Sequence, residues 1–287
     1  MTTNAFVARR EAVLAGFSRG WIETRHMLTD TASVIWYVAV PVIFAIVLLV
    51  MRGNTVPGTE FALGAMVLPS LVGMSIAFGG LLGPAGTIAA DREDGTLLRA
   101  KATPNGMVGY LVGKIVMFAL TTLVSVVLLV IPALTVADEL QLDPSTWLLL
   151  ALVFIVGMVS TVPISVVLGS LMKSAAQTGL LFLASMLLIV PSGIFYPITA
   201  MPMWLQFVGQ SFPFYWLGLG ARSAMLPEAM AAVEIGGSWR TFEMFVVLGV
   251  WAVIGMALAP MVLRRMARRQ SGAAVEAARE RVMSKGY

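Results

Sequence analysis

The chain of 287 residues contains no cysteine and a single histidine, His26. The lack of cysteine excludes disulfide bonds, thiolate metal sites and cysteine nucleophiles, and one histidine cannot form a histidine cluster. Charged residues are also few, at 12 % of the chain, whereas soluble domains carry roughly 25 %. Hydrophobic residues reach 59 %, and the mean hydropathy is +0.89. This composition excludes a soluble, fibrous or disordered protein and indicates an integral membrane protein.

Several uncharged runs are long enough to cross a membrane as helices, which takes roughly 20 apolar residues. Five of them are Ala32–Met51, Phe61–Gly83, Ile115–Ala137, Trp147–Met172 and Met244–Leu263. A further span is predicted within Ser174–Ala221, which has no charged residue but is too long for one crossing and contains four prolines. We expect the rest of that segment, about 197–221, to form a re-entrant helical hairpin on the outer side. An ordinary outer loop lying on the headgroups is the alternative.

Basic residues set the expected orientation of these six spans. Most of them lie in the two tails or in the loops that follow the second and fourth spans. Arg52, Arg222 and Arg240 remain on the other side. The positive-inside rule therefore predicts cytoplasmic termini. A seventh crossing would strand the basic C-terminal tail outside. The predicted fold is thus all-α, with a cytoplasmic tail 1–31, a six-helix membrane domain 32–266 and a basic cytoplasmic tail 267–287.

The tail before the first span is predicted to form an amphipathic helix on the membrane surface. Its large apolar residues, spaced by four or seven, share one helical face: they are Phe6, Val13, Phe17, Trp21 and Leu28. Two glycine pairs, Gly79/Gly83 and Gly109/Gly113, have the four-residue spacing that permits close helix contact.

Residues able to do chemistry inside the membrane are scarce. No carboxylate falls in the central part of a predicted span, and Glu243 lies at the outer end of the last one. Lys114 lies at the inner end of the third span, where we expect its side chain to reach water. This weighs against proton-coupled or sodium-coupled transport. No G-x-x-x-x-G-K-[ST] loop occurs, so another polypeptide must supply the energy of any ATP-driven transport.

The inner loop 88–104 reads IAADREDGTLLRAKATP and carries the most distinctive pattern of the chain. A mixed-charge cluster at 91–94 precedes Gly95, which permits a tight turn. Thr96 is then predicted to cap a short helix, which ends at Pro104. An apolar ridge with a charged rim suits docking onto a soluble partner, and a solvated loop is the alternative.

This loop resembles the signature of type-2 ATP-binding-cassette (ABC) exporter permeases, among them the daunorubicin-resistance-type drug exporters. The matching strings are D-R-E-D-G-T-L at 91–97 and T-P at 103–104. The overall layout is also similar, as are segments 195–197 and 201–205 in the hairpin. The resemblance implies a coupling helix at about 88–104 that contacts a separate ATPase through Asp91, Arg92, Glu93, Gly95, Thr96, Leu97 and Arg99. Ala100 and Lys101 depart from the family pattern, which often has large apolar residues there.

The resemblance further implies the permease subunit of a bacterial plasma-membrane exporter that moves a drug-like or lipophilic compound by alternating access. The implied partners are about two ATPase subunits, which would hold ATP and Mg²⁺, a second permease protomer of the same or a related chain, membrane lipid and the lipophilic substrate. We expect no cofactor, catalytic activity or nucleic-acid binding in this chain itself.

Analogy with the family also indicates a substrate path. It would be lined by Met74, Phe78, Phe182, Met186, Phe195 and Tyr196, for which ordinary core or lipid-facing packing is the alternative. Export of a glycolipid or polysaccharide, ion-coupled secondary transport and a non-transporting scaffold are the competing functions.

Overall fold

A computed structural model describes residues 2–50, 63–133, 140, 142–172, 177–194 and 198–269. All regular secondary structure in this described part is helical, which confirms the all-α prediction there. The α-helices are α1 (Thr2–Met27), α2 (Thr31–Val34), α3 (Val40–Val50), α4 (Leu63–Glu93), α5 (Thr96–Lys101), α6 (Gly106–Ala133), α7 (Pro144–Leu171), α8 (Thr178–Ile189), α9 (Met203–Ser211), α10 (Pro213–Met225) and α11 (Thr241–Arg269). A π-helix at Ile35–Ala39 joins α2 to α3, and four 3₁₀ segments connect the later helices.

Four helices of the described part are long and apolar enough to cross a membrane. They are the segments Val67–Arg92 of α4, Gly106–Ile131 of α6, Pro144–Leu171 of α7 and Thr241–Met266 of α11. These correspond to the second, third, fourth and sixth predicted spans. The first and fifth predicted spans correspond to two shorter apolar helices, Tyr37–Val50 and Thr178–Ser192. The chain is therefore a multi-pass membrane protein, and the count of six spans stays a prediction.

Local capping fixes where helix α7 begins. Asp143 accepts a hydrogen bond from the Thr146 amide at 3.0 Å, and Pro144 occupies the first turn of α7. These two features are typical of a helix N-terminus. Hydrogen bonds, led by the one from the Ser145 hydroxyl, lower the pKa of Asp143, so the cap stays ionised at neutral pH.

The core is built around α10, which packs against α4, α7 and α11. Residues 213–222 of α10 are all buried, and the set includes three consecutive aromatic side chains. Gly73 of α4 touches the backbone of α10 so closely that a Cβ on it would lie 2.6 Å from the Gly218 Cα. Such glycine contacts bring helix backbones together in a membrane, where packing replaces the hydrophobic effect.

Helix α1 packs along α6 by means of small residues. A Cβ on Gly16 would lie 2.6 Å from the Gly109 carbonyl oxygen, and a Cβ on Gly20 would lie 2.7 Å from that of Gly113. The predicted close contact at the second glycine pair is therefore present, within this chain. Next to these glycines on α1, Phe17 and Trp21 are more than half exposed. The predicted placement of α1 on the membrane surface stays a prediction.

The predicted hairpin consists of two helices, α9 and α10, separated by the extended residue Phe212. The predicted limit at residue 221 is wrong, because α10 continues to Met225 and includes Arg222. This cation is buried and does not lie free in an outer loop, since it forms an ion pair with Glu234. Entry of the hairpin into the membrane stays a prediction.

Candidate functional site

The inner loop forms a short helix, α5, between the ends of two long helices. Residues 88–93 of the predicted loop instead belong to the last turns of α4. Gly95 then turns the chain with a φ of 79°, in the left-handed region that glycine adopts most readily. The prediction that Thr96 caps α5 is wrong, because its amide donates to the Asp94 side chain at 2.8 Å. Asp94 therefore holds the start of the helix.

One face of α5 is fixed to the membrane domain. Leu97 is 0 % exposed, and it belongs with Ala100 to a buried cluster that also contains Tyr110 of α6 and Leu263 of α11. Leu97 is thus an anchor in this structure and does not face a partner, contrary to the role that the resemblance implied. Burying a leucine side chain contributes about 2 kcal/mol, so α5 is held firmly against α6 and α11.

The other face of α5 is open. Arg99 and Lys101 are exposed, as is Asp94 at the start of the helix. The Arg99 guanidinium donates to the Thr96 hydroxyl at 3.0 Å, which orders this surface without burying it. The side chain of Glu93 lies outside the described residues, although its backbone ends α4. The open face therefore presents charge of both signs to any protein that approaches.

The strongest electrostatic feature beside α5 is a group that we name the Lys114 cluster: Arg19, Glu23, Asp91, Tyr110 and Lys114. The Lys114 ammonium lies 2.8 Å from Asp91 Oδ2 and 3.0 Å from Glu23 Oε2, and its side chain is only 4 % exposed. The same Asp91 oxygen accepts a hydrogen bond of 2.6 Å from the Tyr110 hydroxyl. Lys114 therefore pairs with carboxylates and does not reach water, which corrects the sequence prediction.

The cluster is electrically balanced, with two cations and two carboxylates. Arg19 Nε lies 2.6 Å from Glu23 Oε1, and its guanidinium lies over the Tyr110 ring at 5.0 Å. Burial raises the pKa of Glu23, but the charges of Lys114 and Arg19 outweigh it, so the net shift is downward. Glu23 therefore stays ionised at neutral pH, and the cluster ties α1, α4 and α6 together at one point.

Arg92 joins α4 to a further helix. Its guanidinium donates to the backbone carbonyl of Met172, just after the end of α7, at 3.0 Å. Of the residues implied as ATPase contacts, Asp91, Arg92 and Leu97 thus make contacts within the chain. Thr96 and Arg99 lie on the part of α5 that is at least partly exposed, and Gly95 shapes the turn.

Four of the six residues predicted to line a substrate path lie on α4 and α8. Phe78 and Phe182 have ring centroids 6.3 Å apart, and Met74 and Met186 pack on the same core. The structure adds Phe214 of α10, whose ring centre lies 6.0 Å from that of Phe78. Phe195 and Tyr196, the other two, lie outside the described residues.

A second buried ion pair lies at the opposite end of the bundle from α5. Arg222 Nε is 2.8 Å from Glu234 Oε1, and both side chains are buried. Arg222 also donates to the Ser70 hydroxyl at 3.3 Å, which connects α10 to α4. Among the described residues, no group of histidine and acidic side chains could hold a metal ion.

Comparison with protein families agrees with this architecture. A family model described as "ABC-2 family transporter protein" matches residues 53–260, which is more than half of the chain. The chain belongs to the ABC-2 transporter family. The match covers α4 to α10 and most of α11, including α5 and the Lys114 end of α6. No curated protein gives a significant match.

Membership in the ABC-2 family makes this chain the membrane component of an ABC transporter. Such components work with an ABC ATPase, which is where ATP is hydrolysed. The Lys114 cluster and the Arg222–Glu234 ion pair were missed by sequence reasoning, because their partners come from separate segments. A cation at the edge of an apolar run, as at Lys114 or Arg222, is the signal that could have pointed to them.

Proposed function

We propose that this ABC-2 protein is the permease subunit of a bacterial exporter that moves a drug-like or other lipophilic compound out of the cell. A separate ATPase subunit, in about two copies, would drive alternating access across a pair of permease protomers. Helix α5 would be the coupling helix that receives the ATPase.

The observation that best supports this proposal is the two-sided character of α5. Its buried side, at Leu97, is anchored to α6 and α11, and its open side carries Arg99. A helix of this kind can transmit a push from a soluble partner, because it is too well packed to move without its neighbours.

The Lys114 cluster extends the connection to α1 and α4. Displacing α5 would strain Asp91 at the end of α4 and, through Lys114, also Glu23 on α1. We propose that α4, α6 and α1 therefore shift together when the ATPase subunits close on ATP. The inward and outward states need to differ by only a few kcal/mol for nucleotide binding to change their populations.

An apolar wall formed by Phe78, Phe182, Phe214, Met74 and Met186 supports a lipophilic substrate. Phe182 is well exposed on the surface of the chain, and methionine and aromatic side chains adapt to bulky apolar ligands. The wall contains no charged residue, so we propose that it would line a path shared with a second protomer and favour uncharged or amphipathic compounds.

Affinity purification of the tagged chain from its native membranes tests the proposal. We expect an ATPase subunit to co-purify, and its ATP hydrolysis to be stimulated by lipophilic compounds. Charge reversal of Arg99 to Glu should weaken this association, since Arg99 lies on the open face of α5. Arg25→Glu, an equally exposed cation on α1, is the matched control and should have little effect.

The contrary result is clear-cut. If the chain purifies without an ATPase and still transports in vesicles that lack ATP, the exporter proposal fails and an ion gradient must be the energy source. If the ATPase binds Arg99→Glu as tightly as the parent chain, the exporter stands and the docking role of α5 fails.

A further inference from the structure

A basic cavity lies beside α5 at the surface of the bundle. Its volume is about 310 Å³, and it is lined by Lys101, Thr103, Asn105, Gly106, Met107 and Arg264. The lining combines residues from three places: the end of α5, the start of α6 and the last turns of α11. Two of these residues are cations and none is acidic, so the cavity favours an anion.

The backbone at the start of α6 gives this cavity a fixed wall. A side chain on Gly106 would collide with the Ala100 carbonyl and the Thr103 hydroxyl, so the two helices meet closely there. Asn105 adopts a left-handed conformation with a φ of 54°, and its carbonyl accepts from the Val108 amide at 2.9 Å. The cavity is therefore built into the junction of α5 and α6.

The cavity lies near the C-terminal end of the apolar part of α11. Leu258 and Met261 are exposed apolar residues on α11, which is long enough to cross the membrane. Arg264 follows Met261 by three residues, or about 4.5 Å along the helix axis. The apolar surface of α11 thus ends at the point where the cation of the cavity begins.

We propose that this basic cavity binds the phosphate group of an anionic phospholipid. Arg264 can engage phosphate oxygens through two parallel hydrogen bonds, and Lys101 adds a second positive charge. The amide of Asn105 can donate to the same group, and the N-terminal dipole of α6 adds positive potential. The acyl chains would then lie along the exposed side chains of Met261 and Leu258. The site does not depend on the substrate or energy source of the transporter.

A lipid fits these observations better than a soluble anion or a protein. The cavity is far smaller than a docking surface, and the exposed apolar side chains of Met261 and Leu258 precede Arg264 on α11. Basic pockets between membrane helices are suited to phosphate headgroups. A free phosphate ion would use the cations but gain nothing from Met261 and Leu258.

Native mass spectrometry of the purified full chain in a neutral detergent measures this binding. The titrant is dioleoyl phosphatidylglycerol, compared with dioleoyl phosphatidylcholine. We expect the anionic lipid to bind more tightly, and Lys101→Gln and Arg264→Gln each to weaken it about fivefold, since a cation near a membrane surface contributes about 1 kcal/mol. The double variant should lose about 25-fold if the two cations act independently.

Two cations adjacent to the cavity provide matched controls. Arg99 lies on α5 and Arg265 follows Arg264 on α11; both are exposed, and neither lines the cavity. Arg99→Gln and Arg265→Gln should bind the anionic lipid as the parent chain does. Thermal unfolding of all five variants checks that each one folds.

The remaining outcomes overturn the proposal. Equal weakening in the control variants would mean that the lipid responds only to the general charge of this surface. Equal binding of both lipids, together with displacement by inorganic phosphate, would indicate a free-phosphate site. If Arg264→Gln loses the ATPase subunit but keeps the anionic lipid, the cavity receives a protein side chain instead.

Discussion

Replacing Lys114 by methionine removes the cation that Glu23 and Asp91 share. Methionine has nearly the same length, so the change deletes charge and hydrogen bonds and leaves little empty volume. The two carboxylates would then face each other across the vacated position, 3.0 and 2.8 Å from where the ammonium had been. We expect this variant to be clearly less stable than the parent chain.

The size of the effect follows from how exposed the carboxylates are. Removing one partner of a fully buried ion pair costs about 3–5 kcal/mol. Here the side chains of Glu23 and Asp91 are 24 % and 16 % exposed. In the variant, Glu23 would still contact Arg19, and Asp91 would still accept from Tyr110. Solvent screening and these remaining contacts reduce the expected loss to about 2–3 kcal/mol.

Unfolding in detergent, followed by tryptophan fluorescence, measures this loss. A double-mutant cycle with Glu23→Gln should give a coupling energy of about 1 kcal/mol or more, because the two residues are in direct contact. Arg25→Met, which removes an exposed cation from the same helix as Glu23, should change stability by less than about 0.5 kcal/mol. Strict additivity of Lys114→Met and Glu23→Gln would refute the pairing on which the reasoning depends.

Three further expectations concern other parts of the molecule. Arg222→Met should cost about 3–5 kcal/mol by leaving a buried carboxylate alone, and adding Glu234→Leu should restore most of the unfolding free energy. Gly16→Val should separate α1 from α6 and lower the unfolding temperature, whereas Gly249→Ala, which meets no atom within 4 Å, should raise stability by up to about 1 kcal/mol. Because the pKa of Glu23 is lowered from its ordinary 4.5, its ionised form stabilises the fold above that pH. The contribution disappears as the pH falls through the lowered pKa, so unfolding temperature should drop more steeply with acid in the parent chain than in Glu23→Gln.

The helices could be predicted because their signals are local. An uncharged run such as 147–172 can satisfy its backbone in a membrane only by forming a helix, and the structure has α7 there. The turn at Gly95 is an equally local pattern, and the structure contains it.

The long-range contacts of the site could not be predicted in the same way. Lys114 meets Glu23 across 91 residues of sequence, and no periodic pattern connects two such positions. The burial of Leu97 is equally hard to predict, because its neighbours in the buried cluster include Leu263, which lies far along the chain. A residue on a short amphipathic helix can face either way, and only the packing of α6 and α11 decides which side is buried.

The pairing of Glu23 with Lys114 also sets the order in which the chain can complete its fold during synthesis. At about 5–20 residues per second, the ribosome needs some 5–20 s to add the 91 residues that separate the two. During that interval α1 lacks both Lys114 and the close contact with Gly109 and Gly113 of α6. Phe17 and Trp21 can already hold α1 at the membrane surface. Helix α1 is therefore synthesised well before its partner. Once α6 has been made, Lys114 contacts Glu23 of α1 and Asp91 of α4 and so connects the three helices.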